Sequence, residues 1–217
     1  MQKVVGLVGL RGSGKDTAAQ FLVAHGWNRI AFADALYLEV AKAFGVTVEF
    51  FNRRETKETP LPELALKNCQ DHLFVAVMLA DAGLKLGVTD GRKVSAFLRK
   101  PRSPREIMQK WGTEYRRNTF RDDYWRDQVL KYVKAHPESN FVITDVRFPD
   151  EARLVETHLQ GQLGRINRPG LPGSDDKALL HSSEVAMLDY PIEHQFLNEE
   201  GEDGLGKFRS AVLKAYH

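Results

Sequence analysis

Gly9-Leu10-Arg11-Gly12-Ser13-Gly14-Lys15-Asp16-Thr17 follows the apolar run Val4-Val5-Gly6-Leu7-Val8 and precedes a helix-forming segment, Ala18-Ala19-Gln20-Phe21-Leu22. An apolar strand, a glycine-rich turn and a helix start are the context in which a Gly-x4-Gly-Lys string becomes a phosphate-binding loop. The glycines let backbone N–H groups converge on phosphate oxygens with no Cβ in the way. The helix N-terminus adds unpaired donors and the positive end of its dipole. Lys15 adds a mobile point charge for the terminal phosphates. Arg11, Gly12, Ser13, Gly14, Lys15, Asp16 and Thr17 therefore form the expected nucleotide-binding set. One position departs from the common pattern: Asp16 stands where Ser or Thr usually follows the lysine, and Thr17 comes one place late.

Outward from the loop, Gly26 closes the first helix and Asn28-Arg29-Ile30-Ala31-Phe32 reads as a second strand. Asp34 then starts a helix that Gly45 stops after Phe44. Strand, helix, strand, helix is the grammar of an open parallel sheet. Residues 45–102 are less regular, with a charged, proline-broken stretch at Arg53-Arg54 and Lys57-Glu58-Thr59-Pro60-Leu61-Pro62. A helix is expected from Leu73 to Leu86, followed by an exposed linker at Thr89-Asp90-Gly91-Arg92. A substrate-binding insertion and an ordinary surface excursion both fit this region.

Ser103-Pro104-Arg105-Glu106 carries a strong helix start: Ser at the cap, Pro first, Glu third. In the helix that follows, Ile107, Met108, Trp111 and Tyr115 share a core-facing side. Arg105, Gln109, Gly112 and Arg116 form a second stripe roughly 110° away at ~100° per residue. Two arginines and a glycine on one flank suit a wall facing an anion; a solvated helix face would look the same. Asp122-Asp123 begins another helix, in which Tyr124, Trp125, Val129, Tyr132 and Val133 should pack. Asn140-Phe141-Val142-Ile143-Thr144-Asp145 is a buried strand ending in an acid. In phosphate-loop folds such a strand lies beside the loop's own strand, and its acid can hold Mg²⁺ through water. Its end is also a crevice position of an open α/β sheet. Asp145 and Arg147 thus stand at the cleft, and Pro149-Asp150-Glu151-Ala152 begins the next helix.

Gln162 to Asn167 and His194 to Asn198 read as further strands, and Leu205 to Tyr216 as a closing amphipathic helix. Between the last two strands, Arg168-Pro169-Gly170-Leu171-Pro172-Gly173 begins a segment that fits either a lid over a nucleotide or a plain connector. Arg168 and Lys177 are its candidate closing cations, and His181-Ser182-Ser183-Glu184 begins a short helix. No Gly-x-Ser-x-Gly elbow supports a Ser-His hydrolase.

With 31 Lys and Arg against 29 Asp and Glu, a net charge of +2 gives no general attraction to nucleic-acid polymers. Cys69 is the only cysteine, which excludes an intrachain disulfide and a cysteine-rich zinc site and leaves a buried inert thiol as its favoured role. The N-terminus has no signal-peptide character and no apolar stretch is long enough to span a bilayer, so a cytoplasmic protein with no membrane partner is expected.

Three features favour a small-molecule phosphoryl acceptor. The Gly-Lys-x-Thr ending resembles that of nucleoside monophosphate kinases. No Asn-Lys-x-Asp base-reading string of GTPases is present. Separated arginines, Arg105, Arg116, Arg147 and Arg168, suit a site holding two phosphate-bearing molecules. The chain also resembles the bacteriophage-type deoxynucleoside monophosphate kinases over most of its length. The resemblance rests on Gly12-Ser13-Gly14-Lys15-Asp16-Thr17, Phe32-Ala33-Asp34-Ala35-Leu36, Arg105 through Trp111-Gly112-Thr113-Glu114 to Arg116, Asp123-Tyr124-Trp125, Thr144 to Ala152, and His181 to Glu184.

That resemblance implies an α/β, three-layer P-loop kinase fold: a central parallel sheet flanked by helices, one domain over 1–217. It implies an acceptor-binding helical insertion over about 34–120 and a lid-like loop over about 168–182. ATP would be the donor, Mg²⁺ the metal, and a deoxynucleoside monophosphate the acceptor. Lys15 would bridge the transferred group, Asp16 would serve Mg²⁺ directly or through water, and Thr17 would hold a donor phosphate. Asp145 would serve the metal through water and lie at the acceptor with Arg147, whose guanidinium takes the acceptor phosphate. Asp34, Arg105 and Arg116 complete the acceptor pocket; Glu151 is either a further member or a helix-start acid. Base preference and homodimer formation stay open. The rival readings are another small-molecule P-loop kinase, such as the animal-type phosphomevalonate kinases that share a Gly-Lys-Asp loop, a nucleotide-dependent ATPase or switch, and an inactive nucleotide-binding module.

Overall fold

The computed structural model describes residues 2–53, 55–84, 89–171 and 186–216. β1 (Val4–Val8) is buried at every position, as its unbroken apolar run requires. It pairs in parallel with β3 (Phe141–Ile143), matching Val4 to Phe141 and Gly6 to Ile143. On its other side it pairs in parallel with β4 (Gln162–Asn167), from Val5 opposite Gln162 to Val8 opposite Arg165. β2 (Asn28–Ile30) adds outside β3 and β5 (His194–Leu197) outside β4, giving an all-parallel sheet of order β2-β3-β1-β4-β5.

Alternation along the strands sends side chains to two opposite faces. Val4, Val8, Phe141, Ile143 and Leu163 pack with Val129 and Val133 of α7 (Tyr124–Lys134), and with Ala152 of α8 (Pro149–Arg153) and Val155 just beyond it. Val5, Leu7, Val142, Ile166 and Phe196 pack with Ala18, Ala19 and Leu22 of α1 (Lys15–Val23), and with Phe208, Val212 and Tyr216 of a C-terminal helix, Glu202–Tyr216. This makes three layers, the architecture expected from the sequence. A Cβ on Gly6 would stand 2.8 Å from Leu163 Cδ2 and 2.9 Å from Val146 Cγ2, so only glycine fits the middle of β1.

The chain divides into two compact units, Met1–Phe32 with Arg126–His217, and Ala33–Trp125. The second is helical. It contains most of α2 (Phe32–Phe44), α3 (Val48–Asn52), two 3₁₀ turns, α4 (His72–Asp81), α5 (Gly91–Arg99) and α6 (Pro104–Gln109), followed by a π-helical stretch, Lys110–Arg117. Its core is rich in aromatic rings, with Phe44, Phe51, Phe74, Trp111, Tyr115 and Trp125 all buried. Ser103 Oγ accepts from Glu106 N at 3.2 Å and starts α6 as the sequence predicts. Cys69 is buried there, and desolvation pushes its thiol up to about 11, which suits an inert side chain.

Several boundaries differ from the sequence expectations. Phe32 opens α2 rather than closing β2, because its N–H is held by Asp145. The Leu73–Leu86 helix is realised as α4, whose start is fixed by Asp71 accepting from Leu73 N and Phe74 N, both at 3.0 Å. Thr89 to Arg92 is no linker throughout: Asp90 caps α5 by accepting from Arg92 N at 2.8 Å. Tyr132 packs edge-on against Phe141, with ring centroids 5.8 Å apart, but stays 50% exposed. Lys177 and His181 to Glu184, with most of the expected lid, lie outside the described residues. No helix among the described residues is long and apolar enough to cross a membrane.

Candidate active site

The chain leaves β1 toward β2 and leaves β4 toward β5, so neighbouring strands β1 and β4 diverge at their C-terminal ends. Such a switch point is where open α/β sheets bind ligands. The glycine loop occupies it. Gly9, Gly12 and Gly14 have φ of +151°, +82° and +104°, and a Cβ on Gly9 would meet the Ile166 carbonyl oxygen at 2.5 Å. Gly14 is the N-cap of α1 and supplies no side-chain cap, so the positive end of the helix faces the loop. The Lys15 ammonium lies back on the loop's own carbonyls, 2.6 Å from Gly9 O and 2.8 Å from Leu10 O. Ser13 is 1% exposed and its Oγ has no hydrogen-bond partner among the described residues. Arg11 and Asp16 are exposed, and Thr17 is half-buried in the first turn of α1.

Beyond β3, Asp145 Oδ1 accepts from Phe32 N at 2.7 Å, tying the end of β3 to the end of β2. Two residues on, the Arg147 side chain is exposed. Its backbone is held instead: Glu151 Oε2 accepts from Arg147 N at 2.8 Å and Phe148 N at 3.2 Å. Glu151 is only 6% exposed. Burial pushes its carboxyl up to about 7, helped by nearby Asp145 and Asp150 and opposed by the two backbone donors. Glu151 thus caps α8 and shapes the turn that presents Arg147. Asp150 itself is ion-paired with Arg126. Arg168, after β4, lies 3.3 Å from Glu200 at an exposed ion pair.

In the helical unit, Asp34 lies half-buried in the first turn of α2. Arg105 is exposed and ion-paired with Glu58. Arg116 is of a different kind: its side chain is 14% exposed, its Nε donates to Glu39 at 2.6 Å, and four aromatic rings surround its guanidinium. The stripe drawn at α-helical spacing does not survive, because the π-helical stretch changes the angle per residue after Gln109. Gly112 is buried, with Leu36 Cδ2 at 3.3 Å from a Cβ built on it, so it packs rather than lining an anion.

Three residues escaped the sequence reading. Asn198, 7% exposed just after β5, donates its Nδ2 to Ser13 O at 2.8 Å. Its place at a strand end in an open sheet was the available signal. Glu39 gathers three donors on α2, and nothing in the local pattern announces it. Arg102 is 1% exposed and satisfies the carbonyls of Lys100 and Phe97 at 3.0 and 3.1 Å.

No group of three potential metal ligands occurs among the described residues. Mg²⁺ needs no such cage: it keeps several waters and is held by one or two carboxylates plus nucleotide phosphates. The exposed Asp16 carboxylate at the start of α1 and Asp145 beyond β3 match that modest donor set, and the glycine cradle with its orphaned Ser13 hydroxyl matches the phosphates.

A glycine cradle with its lysine, at the switch point of a three-layer parallel sheet, is the phosphate-loop architecture found in P-loop kinases. The fold is shared with dephospho-CoA kinase from Campylobacter jejuni, at a TM-score of 0.50 and 12% identity over 99% of this chain and 96% of that one. No family model matches the chain. It is 30% identical over 201 residues to a protein of Acanthamoeba polyphaga mimivirus named for deoxynucleotide monophosphate kinase activity, covering 85% of this chain and 81% of that one. It is 27% identical over 248 aligned positions to the deoxynucleoside-5'-monophosphate kinase of Escherichia phage T5, covering 98% and 95%. The chain belongs to the deoxynucleoside monophosphate kinase family and is an enzyme of the kinase class.

Proposed function

We propose that this enzyme transfers the terminal phosphoryl group of ATP directly to the phosphate of a deoxynucleoside monophosphate. The observation that carries the reading is the cradle of Gly9, Gly12 and Gly14 with Lys15 at the start of α1, in a chain of this family. An acceptor-phosphate oxygen attacks the terminal phosphorus, the bond to the bridging oxygen breaks, and ADP leaves. A phosphate monoester is already largely ionised near neutral pH, its second pKa being about 6, so the step needs no general base. Alignment, cations and exclusion of water do the work.

Lys15 bridges the terminal phosphates, moving from the Gly9 and Leu10 carbonyls to stronger, charged acceptors. Arg11, Gly12, Ser13, Gly14 and Thr17 hold the donor. Asp16, directly or through water, and Asp145, through water, would hold Mg²⁺, which would supply charge neutralisation on the donor phosphates. Arg147 takes the acceptor phosphate, and Glu151 serves it by fixing the turn rather than by contact. Asp34, Arg105 and Arg116 belong to an acceptor-binding segment over about 34–120. Arg168 closes over the donor nucleotide.

The test is ADP formation against a panel of deoxynucleoside monophosphates, ribonucleoside monophosphates and phosphomevalonate. Turnover confined to deoxynucleoside monophosphates is the expected result. Turnover with phosphomevalonate, or DNA-stimulated hydrolysis with no acceptor, would replace the assignment.

A further inference from the structure

Glu39 lies on α2 and receives three donors from three side chains. Its Oε2 accepts from Arg116 Nε at 2.6 Å and from Trp111 Nε1 at 2.9 Å, and its Oε1 accepts from the Tyr124 hydroxyl at 2.5 Å. The Arg116 guanidinium carbon lies 4.4 Å from the Tyr115 ring centroid, 5.1 Å from Tyr124, 5.2 Å from Phe120 and 5.5 Å from Trp111. Tyr115 is itself pinned, its hydroxyl donating to Asp71 at 2.8 Å. A planar cation enclosed by four rings and tied at Nε has one orientation.

Neither η nitrogen of Arg116 makes a hydrogen bond among the described residues, and neither is sealed from solvent. The part of the guanidinium left open is its η edge, with two parallel N–H donors spaced for two oxygens of one phosphate. A simple ion pair would cancel the cation's field and weaken it as an anion site. Here Trp111 and Tyr124 share the negative charge of Glu39, so the carboxylate anchors Arg116 without fully offsetting it.

We infer that Glu39 is a positioning residue that holds the η edge of Arg116 toward the phosphate of a phosphomonoester ligand. The inference rests on the reading of Arg116 as an acceptor-phosphate residue. Glu39 touches no substrate; it sets the angle at which Arg116 does.

The test is a double-mutant cycle of Glu39→Gln and Arg116→Ala, reading KM for the deoxynucleoside monophosphate and KM for ATP separately. Each single variant should raise the acceptor KM by about tenfold or more, the effect of losing or misdirecting one charge-assisted hydrogen bond. Both should leave the ATP KM within about twofold, and Glu39→Gln should add nothing in the Arg116→Ala background. An unchanged acceptor KM in Arg116→Ala overturns the acceptor reading of Arg116 itself. A raised value in Arg116→Ala with no change in Glu39→Gln, or strictly additive effects, overturns the positioning role alone. If Glu39→Gln does not fold, the same cycle with Glu39→Asp, which keeps the charge but withdraws it by one methylene, gives the same decision.

Discussion

The side-chain amide of Asn198 donates to the Ser13 carbonyl at 2.8 Å, so the last strand of the sheet braces the phosphate loop from behind. A Cβ on Gly14 would stand 2.3 Å from that same amide nitrogen. Asn198→Ala should weaken ATP binding about five- to tenfold, the worth of one buried hydrogen bond of ~1 kcal/mol. Gly14→Ala should weaken it about a hundredfold or more, since it adds a clash to a left-handed φ that costs ~1–2 kcal/mol. The double variant should bind ATP better than Gly14→Ala alone, because the truncated Asn198 leaves room for the new methyl. Calorimetric titration with ATP reads all three; strict additivity would mean the contact is not what constrains the loop.

Lys15 and Arg147 separate donor from acceptor. Lys15→Ala should lower kcat by roughly 10³-fold or more, a loss of about 4 kcal/mol of transition-state stabilisation. Arg147→Ala should raise the acceptor KM by about thirtyfold while ATP KM moves little, as expected for one lost charge-assisted contact of ~2 kcal/mol. Steady-state kinetics with each substrate varied in turn decides it. Equal effects on both KM values would move Arg147 to the donor side.

Glu151 makes stability depend on pH. Its folded carboxyl titrates at about 7 against an ordinary 4.5. Below the ordinary value it is protonated in both states and the folded protein keeps its full stability. As pH rises toward 7 the unfolded chain ionises first, and stability falls by roughly 3 kcal/mol in total before levelling off. Glu151→Gln keeps an oxygen for Arg147 N and Phe148 N but carries no charge. The variant should show a flatter fall of Tm between pH 5 and pH 8 than the parent; parallel melting curves would remove Glu151 as the source.

Arg102 and Arg105 stand three residues apart and should behave oppositely. Arg102→Ala removes a buried side chain that satisfies two part-buried carbonyls, vacates the space over Phe97, and should cost ~3 kcal/mol of stability. Arg105→Ala removes an exposed pair with Glu58 and should cost less than ~1 kcal/mol. Denaturant unfolding of the two variants measures the contrast. The acceptor KM should rise only in the stably folded Arg105→Ala protein if Arg105 reaches the acceptor.

What was legible in the sequence was what local chemistry fixes. The run Val4–Val8, the glycines and Lys15 need no partner to be understood, and the Ser103-Pro104 helix start forms as written. What was hidden depends on distant residues. Phe32 reads as strand until Asp145, far along the chain, takes its N–H. Val94 is the one residue of α5 that is buried, so Asp90-Gly91 looks like a turn rather than a cap. Asn198, Glu39 and Arg102 are ordinary polar letters whose meaning lies in Ser13, Arg116 and Phe97.

The π-helical stretch makes chain length itself a functional variable. Lys110–Arg117 holds more residues per turn than an α-helix would. Relaxing it to α-spacing with every residue kept would turn Arg116 by roughly 100°, whereas deleting one residue at the same time, such as the exposed Thr113, would cancel that turn. In the first case Ile107 and the rest of α6 would keep their seats while Arg116 lost Glu39. A one-codon deletion at a tolerant-looking surface position would then be absorbed as an ordinary α-helix whose arginine still faces Glu39.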